Sequence, residues 1–217
     1  MLRSLFSVAG YTLLSRVTGF LRDVMLGAVL GAGMLADAFY VAFRLPNHFR
    51  AIFGEGAFNA AYVPSYSRVL ETEGGAEARH FASQIASLLL MSQVALLILA
   101  WVFMPQLVAL LAPGFDSDPE KFATAVALTR ITFPYLLFIT LVTLHSGTLN
   151  AQRHFAAAAF APVLLNVAMI AALGLAFAFP SAAHAAAWGV TISGLLQLLL
   201  LMEAARRARV LAGLARP

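Results

Sequence analysis

The chain has 217 residues, 61% of them hydrophobic and 11% charged, with a mean hydropathy of +0.86. A soluble domain carries about a quarter charged residues, so this composition excludes an ordinary soluble enzyme or binding module and describes an integral membrane protein. The net charge of +4 comes without the basic-aromatic interleaving of a nucleic-acid binder, and a cysteine count of 0 excludes disulfides and thiolate metal sites.

The apolar runs predict an all-α fold with six membrane-spanning helices, each near the ~20 residues that cross ~30 Å of hydrocarbon. Helix one covers about 4–30. Arg3 followed by an apolar run resembles a signal peptide, but Arg16 interrupts the run and the helical pattern continues past it, as in an uncleaved first helix. Gly31-Ala32-Gly33 leaves room only for a tight hairpin before helix two, about 34–70. Within it Pro46 removes a backbone donor and should kink the helix, Gly54 and Gly56 loosen it, and Pro64 bends it again. Broken helices are tolerated in membranes where they line a cavity.

Glu71–His80 is polar and reads as a surface loop, and helix three follows at about 81–104. The segment 105–120, ending in APGFDSDPE, reads as a second surface loop. Helix four covers about 121–149, with Arg130 and a Pro134 kink; helix five covers about 155–179 and helix six about 185–205. Six crossings put both termini on one side. That side carries Arg3, Arg68, Arg79, Arg153, Arg206, Arg207, Arg209 and Arg216, and the other carries Lys121. The positive-inside rule therefore places both termini in the cytoplasm.

The stretch from Ser15 to Tyr66 concentrates the charge that the rest of the chain avoids: Arg16, Arg22, Asp23, Asp37, Arg44, Arg50 and Glu55. A charged residue near a helix centre costs roughly 2.5–3.5 kcal/mol against lipid, so such groups face a bundle interior or a wet cavity and mark a transport path. Arg16 lies ~18 Å along helix one from Ser4 and Arg22 ~27 Å along, at ~1.5 Å per residue. Arginine presents a planar fork that grips phosphate bidentately, so several in one cavity point to an anionic substrate, with a diphosphate the natural match. The alternative is internal ion pairing of Arg16 with Asp23, or of Asp37 with Arg44, each pair seven residues apart. Glu55, between glycines, is a candidate gate residue or a carboxylate in the water layer. Asn166 in helix five is a candidate substrate contact or interhelical glue. Arg130 reads as an interfacial anchor, and Ser15 and Thr18 as partners for helix one's own carbonyls.

An enzyme reading lacks support. The DSDPE loop is short, the five histidines are dispersed, and no Gly-rich phosphate loop or nucleophile-base set is present.

SRVTGFLRD, then GAGMLADAFYVAFRLPNHFRAIFGEGAFNAAYVP, APGFD, ITFPYLL and NAQRHFAAAAFAPVLLN together resemble the MurJ/MviN family of lipid II flippases, in the multidrug/oligosaccharidyl-lipid/polysaccharide exporter superfamily. The resemblance runs along essentially the whole chain. It implies movement of an undecaprenyl-diphosphate-linked peptidoglycan precursor across the bacterial cytoplasmic (inner) membrane by alternating access, with no covalent chemistry. The family's cavity arginines match Arg16, Arg22 and Arg50; its neighbouring serine and helix-two aspartate match Ser15 and Asp37; its helix-one aspartate and gate glutamate match Asp23 and Glu55. Arg44 matches a position where lysine also serves. Family members have two lobes, and this chain of 217 residues corresponds to the first. The resemblance thus implies a missing second lobe or second chain, lipid II and the bilayer as partners, no nucleic acid, and no cofactor in this chain, with a coupling ion or the membrane potential driving the complete transporter. The alternatives are a cation-coupled multidrug antiporter lobe, which would have fewer arginines and a dominant buried carboxylate, and a non-transporting membrane subunit.

Overall fold

A computed structural model describes residues 2–54 and 57–216, with side chains over 9–51 and 58–216. Among the described residues the chain forms nine α-helices and two 3-10 turns, with no strand. In order they are α1 (Leu2–Leu30), α2 (Met34–Gly54), α3 (Ala57–Thr72), α4 (Gly75–Val102), α5 (Met104–Leu111), α6 (Pro119–Thr132), α7 (Tyr135–Ala151), α8 (Ala156–Gly174) and α9 (Ala182–Arg207). The 3-10 turns are Phe115–Ser117 and Ala176–Ala178.

Four helical segments among the described residues are long and apolar enough to cross a membrane: Gly75–Val102, Pro119–Ala151, Ala156–Gly174 and Ala182–Arg207. The second of these is α6 and α7 in series, broken at Phe133–Pro134. α1 and α2 have the length but carry Arg16, Arg22 and Asp23, and Asp37, Arg44 and Arg50, respectively.

The prolines show how the backbone manages its missing donors. α2 runs unbroken through Pro46. A proline leaves the carbonyl four residues earlier without its helical partner, and here Thr132 Oγ1 of α6 donates to the Ala42 carbonyl at 2.7 Å. Beside the Pro134 break, Thr191 Oγ1 of α9 donates to the Ile131 carbonyl. Both threonines thus satisfy, from a neighbouring helix, backbone acceptors beside the prolines, which hydrocarbon cannot do.

Several boundaries differ from the sequence reading. Glu71–His80 is no surface loop: α3 continues to Thr72 and α4 begins at Gly75. Gly74, at φ 91, completes the two-residue turn between them, and Ala78 is already fully buried. Helix three therefore starts at Gly75, not 81. The loop 105–120 contains α5, with Pro105 at its start where a missing N–H costs nothing. The helix expected at 34–70 is α2 and α3, the junction 55–56 lying outside the described residues. The fifth expected helix stops at Gly174, and the sixth runs longer, from Ala182 to Arg207.

The main core joins α2, α5, α6, α7, α8 and α9 around Phe39, Met104, Leu128, Leu136, Met169 and Val190. Small residues let the helices approach closely. A Cβ on Gly189 would stand 3.1 Å from the Met169 Cα in α8, and one on Gly194 would stand 2.7 Å from the Tyr135 ring in α7. A second cluster joins α3, α4 and α7 through Tyr62, Tyr66, Ala82 and Leu144. Its tyrosines are tied to α7 and the turn after it, Tyr62 Oη with Thr148 Oγ1 at 2.7 Å and Tyr66 Oη accepting from Gln152 Nε2 at 2.9 Å. The segment after α9 lies back along α4, where the Gly213 and Ala215 amides donate to Ser83 and Ser87. α1 sits at the edge, resting mainly on α8.

Candidate functional site

The charged residues of α1 divide between two faces. Ser15, Thr18, Gly19, Arg22 and Leu26 form the packed side, at the three- and four-residue spacing of one helical face. Gly19 brings α8 close: a Cβ there would stand 3.4 Å from Asn166 Nδ2. Asn166, 5% exposed, uses both ends of its amide on α1. Its Nδ2 donates to the Ser15 carbonyl at 2.9 Å and to Thr18 Oγ1 at 3.2 Å. Its Oδ1 accepts from Arg22 Nη1 at 2.9 Å. Thr18 in turn donates to the Leu14 carbonyl.

Arg22 is thereby held on two sides. Asp23 Oδ1 accepts from Nε at 2.9 Å and from Nη2 at 2.7 Å. The arginine side chain is 19% exposed and the aspartate 62%. A guanidinium has five donors, so part of the fork remains for an incoming acceptor. Arg16 lies on the other side of α1 and is exposed. No partner engages it among the described residues.

The ion pairs weighed from the sequence do not form. Asp23 pairs with its neighbour Arg22, not with Arg16, because seven residues separate the latter by ~10 Å along the helix axis. Asp37 pairs with Lys121 at 2.6 Å, not with Arg44, and sits in the first turn of α2. Lys121 also lies 4.3 Å from the centroid of the Phe115 ring and follows Asp118, which caps α6 by accepting from the Glu120 and Lys121 amides. Asp37 thus belongs to the end of the bundle where the α1–α2 turn meets the start of α6. Arg44 donates to the carbonyl of Leu111, the last residue of α5, a favourable place for a cation.

Arg50, near the end of α2, is placed separately. Its Nη2 donates to Asn47 at 3.0 Å, while its buried Nε has no hydrogen-bond partner. It lines a cavity of about 480 Å³ walled by α2, α3, α7, α8 and α9. The polar wall is Arg50, Asn59, Thr143, Ser146, Asn150 and Gln197. Asn59 Oδ1 is also buried without a partner. Glu55 lies outside the described residues. Arg130 is exposed, and among the described residues no carboxylate is buried.

Sequence reasoning missed Lys121 as the partner of Asp37, and the polar lining contributed by Asn59, Ser146, Asn150 and Gln197. Ile139, Val142, Thr143, Ser146 and Asn150 fall at three- and four-residue steps along α7, so a polar stripe in an otherwise apolar helix was the available signal.

The family model for "Lipid II flippase MurJ" matches residues 26–215. A probable lipid II flippase MurJ from Rhizobium tropici is 40% identical over 222 residues, covering 100% of this chain and 42% of that protein. The lipid II flippase MurJ of Burkholderia cenocepacia is 41% identical over 203 residues, covering 92% of this chain and 39% of that protein. A solved lipid II flippase MurJ in an inward closed conformation superposes with a TM-score of 0.79 at 28% identity, over 91% of this chain and 41% of that one. The chain thus spans about two fifths of the length of these relatives. The family model starts beyond Asp23, but the Rhizobium protein aligns with the whole chain, α1 cluster included. With the match running through α2 to α9 and the helices superposing on a solved member, the chain belongs to the lipid II flippase MurJ family.

Proposed function

We propose that this chain is the first lobe of a lipid II flippase of the bacterial inner membrane and supplies half of a cationic site for the lipid diphosphate. The observation that carries the reading is Arg22, braced by Asn166 and Asp23 at helix depth with donors of its fork still available. Arg16 and Arg50 add two further guanidinium groups on α1 and α2. Bidentate capture of phosphate is what such groups do when held out of bulk water. In this reading Ser15 and Asn166 serve the site from behind, fixing α1 and Arg22. Asp37 ties α2 to α6, Asp23 and Glu55 control access, and no covalent chemistry occurs.

The lobe crosses the membrane six times, with α1, α2–α3, α4, α6–α7, α8 and α9 as the crossings. Both termini are cytoplasmic. The turn holding Arg153 and the Arg207 end of α9 line one groove, which supports a single basic face on the cytoplasmic side. The absence of a buried carboxylate among the described residues speaks for an anion site over a cation-coupled antiporter lobe. Alternating access needs two bundles rocking about a site between them, so the complete transporter requires a second lobe, driven by a coupling ion or the membrane potential. The test is complementation of a flippase-depleted strain with this chain, with and without a second-lobe chain. Rescue is expected only with both. Rescue by this chain alone would overturn the half-transporter reading, and no rescue in either arm, with both chains present in the membrane, would overturn the flippase reading.

A further inference from the structure

The turn between α7 and α8 and the last turn of α9 enclose a groove of about 410 Å³, on the face proposed as cytoplasmic. None of Arg16, Arg22 and Arg50 lines it, so it is separate from the proposed diphosphate grip. Its ionisable lining is Arg153, His154 and Arg207, with no carboxylate. The rest is apolar: Leu149, Phe155 and alanines of α8 and α9.

Arg153 is held there against the preference of its backbone. At the end of α7 the His154 amide donates to the Leu149 carbonyl at 2.8 Å, and the Arg153 amide to the Asn150 carbonyl at 3.0 Å. That closure sets Arg153 at φ 64, the left-handed position that glycine normally fills. An arginine kept at such a position points to a use for its side chain. A cation near a helix C-terminus is favourable in itself, and Arg44 shows that use, with a donor on a terminal carbonyl. Arg153 and Arg207 are not spent that way. Among the described residues no partner engages the side chain of Arg153 or His154, and Arg207 uses only Nε, on Glu203 at 2.6 Å. Glu203 is shared with Arg206, so one carboxylate stands against two guanidinium groups.

Free donors therefore meet in one groove from the α7–α8 turn and from α9. α8 starts in the same wall with no side-chain cap, and the first-turn amides of Ala156 and Ala157 add to the set. A carboxylate is filled by one planar fork, whereas a phosphate has acceptor oxygens for two. The groove also lies where membrane crossings end, the level at which basic side chains meet anionic headgroups. Its apolar lining suits the ester region of a lipid.

We propose that this groove binds a phosphate group at the cytoplasmic surface of the membrane, from an anionic phospholipid or from free phosphate, and so clips the α7–α8 turn to the end of α9.

The chain has 0 cysteines, so Ala204→Cys places a single small reporter in the groove wall, and Ala76→Cys, exposed at the start of α4, reports the same membrane face away from it. Each variant is placed in phosphatidylcholine nanodiscs, and alkylation by a small neutral reagent is timed in three arms: no addition, phosphatidylglycerol in the bilayer, and inorganic phosphate in the buffer at matched ionic strength. At about ten times the apparent Kd, protection of Ala204→Cys by about tenfold is expected. Protection in the phosphatidylglycerol arm alone supports the proposal with a lipid as the source. Protection by inorganic phosphate supports it with the free ion. Protection in neither arm, equal slowing of Ala76→Cys, or equal protection by acetate would overturn it. A second measurement needs no cysteine. In native mass spectrometry of the otherwise unmodified chain, retention of phosphatidylglycerol or phosphate should fall about tenfold in Arg153→Gln/Arg207→Gln, checked for native helicity. Arg206→Gln removes the same charge outside the groove and should change retention little. Retention that survives the double substitution, or that falls equally in Arg206→Gln, would overturn the assignment. Neither result bears on the flippase reading, whose arginines lie elsewhere.

Discussion

Asn166→Leu is the perturbation that most directly probes how α1 is held. Leucine keeps the volume and removes all three hydrogen bonds that cross from α8 to α1. Two are neutral and are worth about 0.6 kcal/mol each in a membrane setting. The third goes to a guanidinium and is worth about 1.5–3 kcal/mol. Together they predict a loss of about 3–4 kcal/mol in the association of α1 with the rest of the lobe. Reversible unfolding in bicelles, followed by a fluorescence pair on α1 and α8, measures it. Adding Arg22→Met completes a double-mutant cycle, whose coupling energy should be about 1.5–3 kcal/mol. A loss under about 1 kcal/mol together with a coupling near zero would refute the reasoning. Asn166 would then be packing rather than bracing, and Arg22 would owe its position to Asp23.

Four further outcomes are expected. Thr132→Val should cost about 1–2 kcal/mol by stranding the Ala42 carbonyl, and Pro46→Ala should recover most of it by restoring the helical donor; a cost unchanged by Pro46→Ala in a thermal unfolding series would reject that account. Gly147→Ala puts a Cβ 2.5 Å from Asn59 Oδ1 and 3.0 Å from the Tyr62 ring, so a loss of about 1–3 kcal/mol is expected, against none for Gly10→Ala, which meets open space. In the complete transporter, Arg16→Lys, Arg22→Lys and Arg50→Lys should each impair flipping, because lysine keeps the charge and loses the fork, while Arg44→Lys should be tolerated, since only its Nη1 is used, on the Leu111 carbonyl; wild-type flipping in the first three would reject bidentate recognition. Single cysteines from Gly74→Cys, Ala151→Cys and Leu211→Cys should resist an impermeant thiol reagent in intact cells, and those from Ala32→Cys, Ser117→Cys and Ser181→Cys should label; the reverse pattern would invert the membrane orientation.

Hydropathy alone located the apolar helices, because hydrocarbon demands long uninterrupted apolar runs with every backbone group paired within the segment. Their ends were harder to read. The turn at Gly74 needs one left-handed residue, and nothing in ETEGGAEARH distinguishes that from a longer loop. Proline was a poor guide for a different reason. Pro46 was expected to kink α2, yet its consequence is met by Thr132, 90 residues distant in sequence from the carbonyl it serves. The same holds at the site. Which charges occur in α1 and α2 is plain from the residues, but their pairing is not. Arg22 binds its neighbour and a residue of α8, and Asp37 finds Lys121 across the bundle. Such partners come from helix packing, and one-dimensional spacing carries no record of it.

The two arginines of α1 are held so differently that one mechanical role cannot serve both. Arg22 lies on the packed face, immobilised by Asn166 and Asp23. Arg16 lies about 120° around the helix, at ~100° per residue, in a stripe with Leu13, Val17, Phe20 and Val24, all of them exposed. Turned to lipid, that stripe would suit the bilayer at every position except Arg16, whose charge near the helix centre would cost roughly 2.5–3.5 kcal/mol. The conflict is removed if the Arg16 side of α1 faces water inside a cleft and the stripe's apolar residues meet a second bundle. On the flippase reading, then, Arg22 is a fixed half of the phosphate grip. Arg16, exposed on its long stem, would be the group able to follow the anion as the cleft changes shape. A rigid anchor and a mobile follower on one helix let the lobe hold the same charge in two geometries, which is what alternating access requires of a binding site.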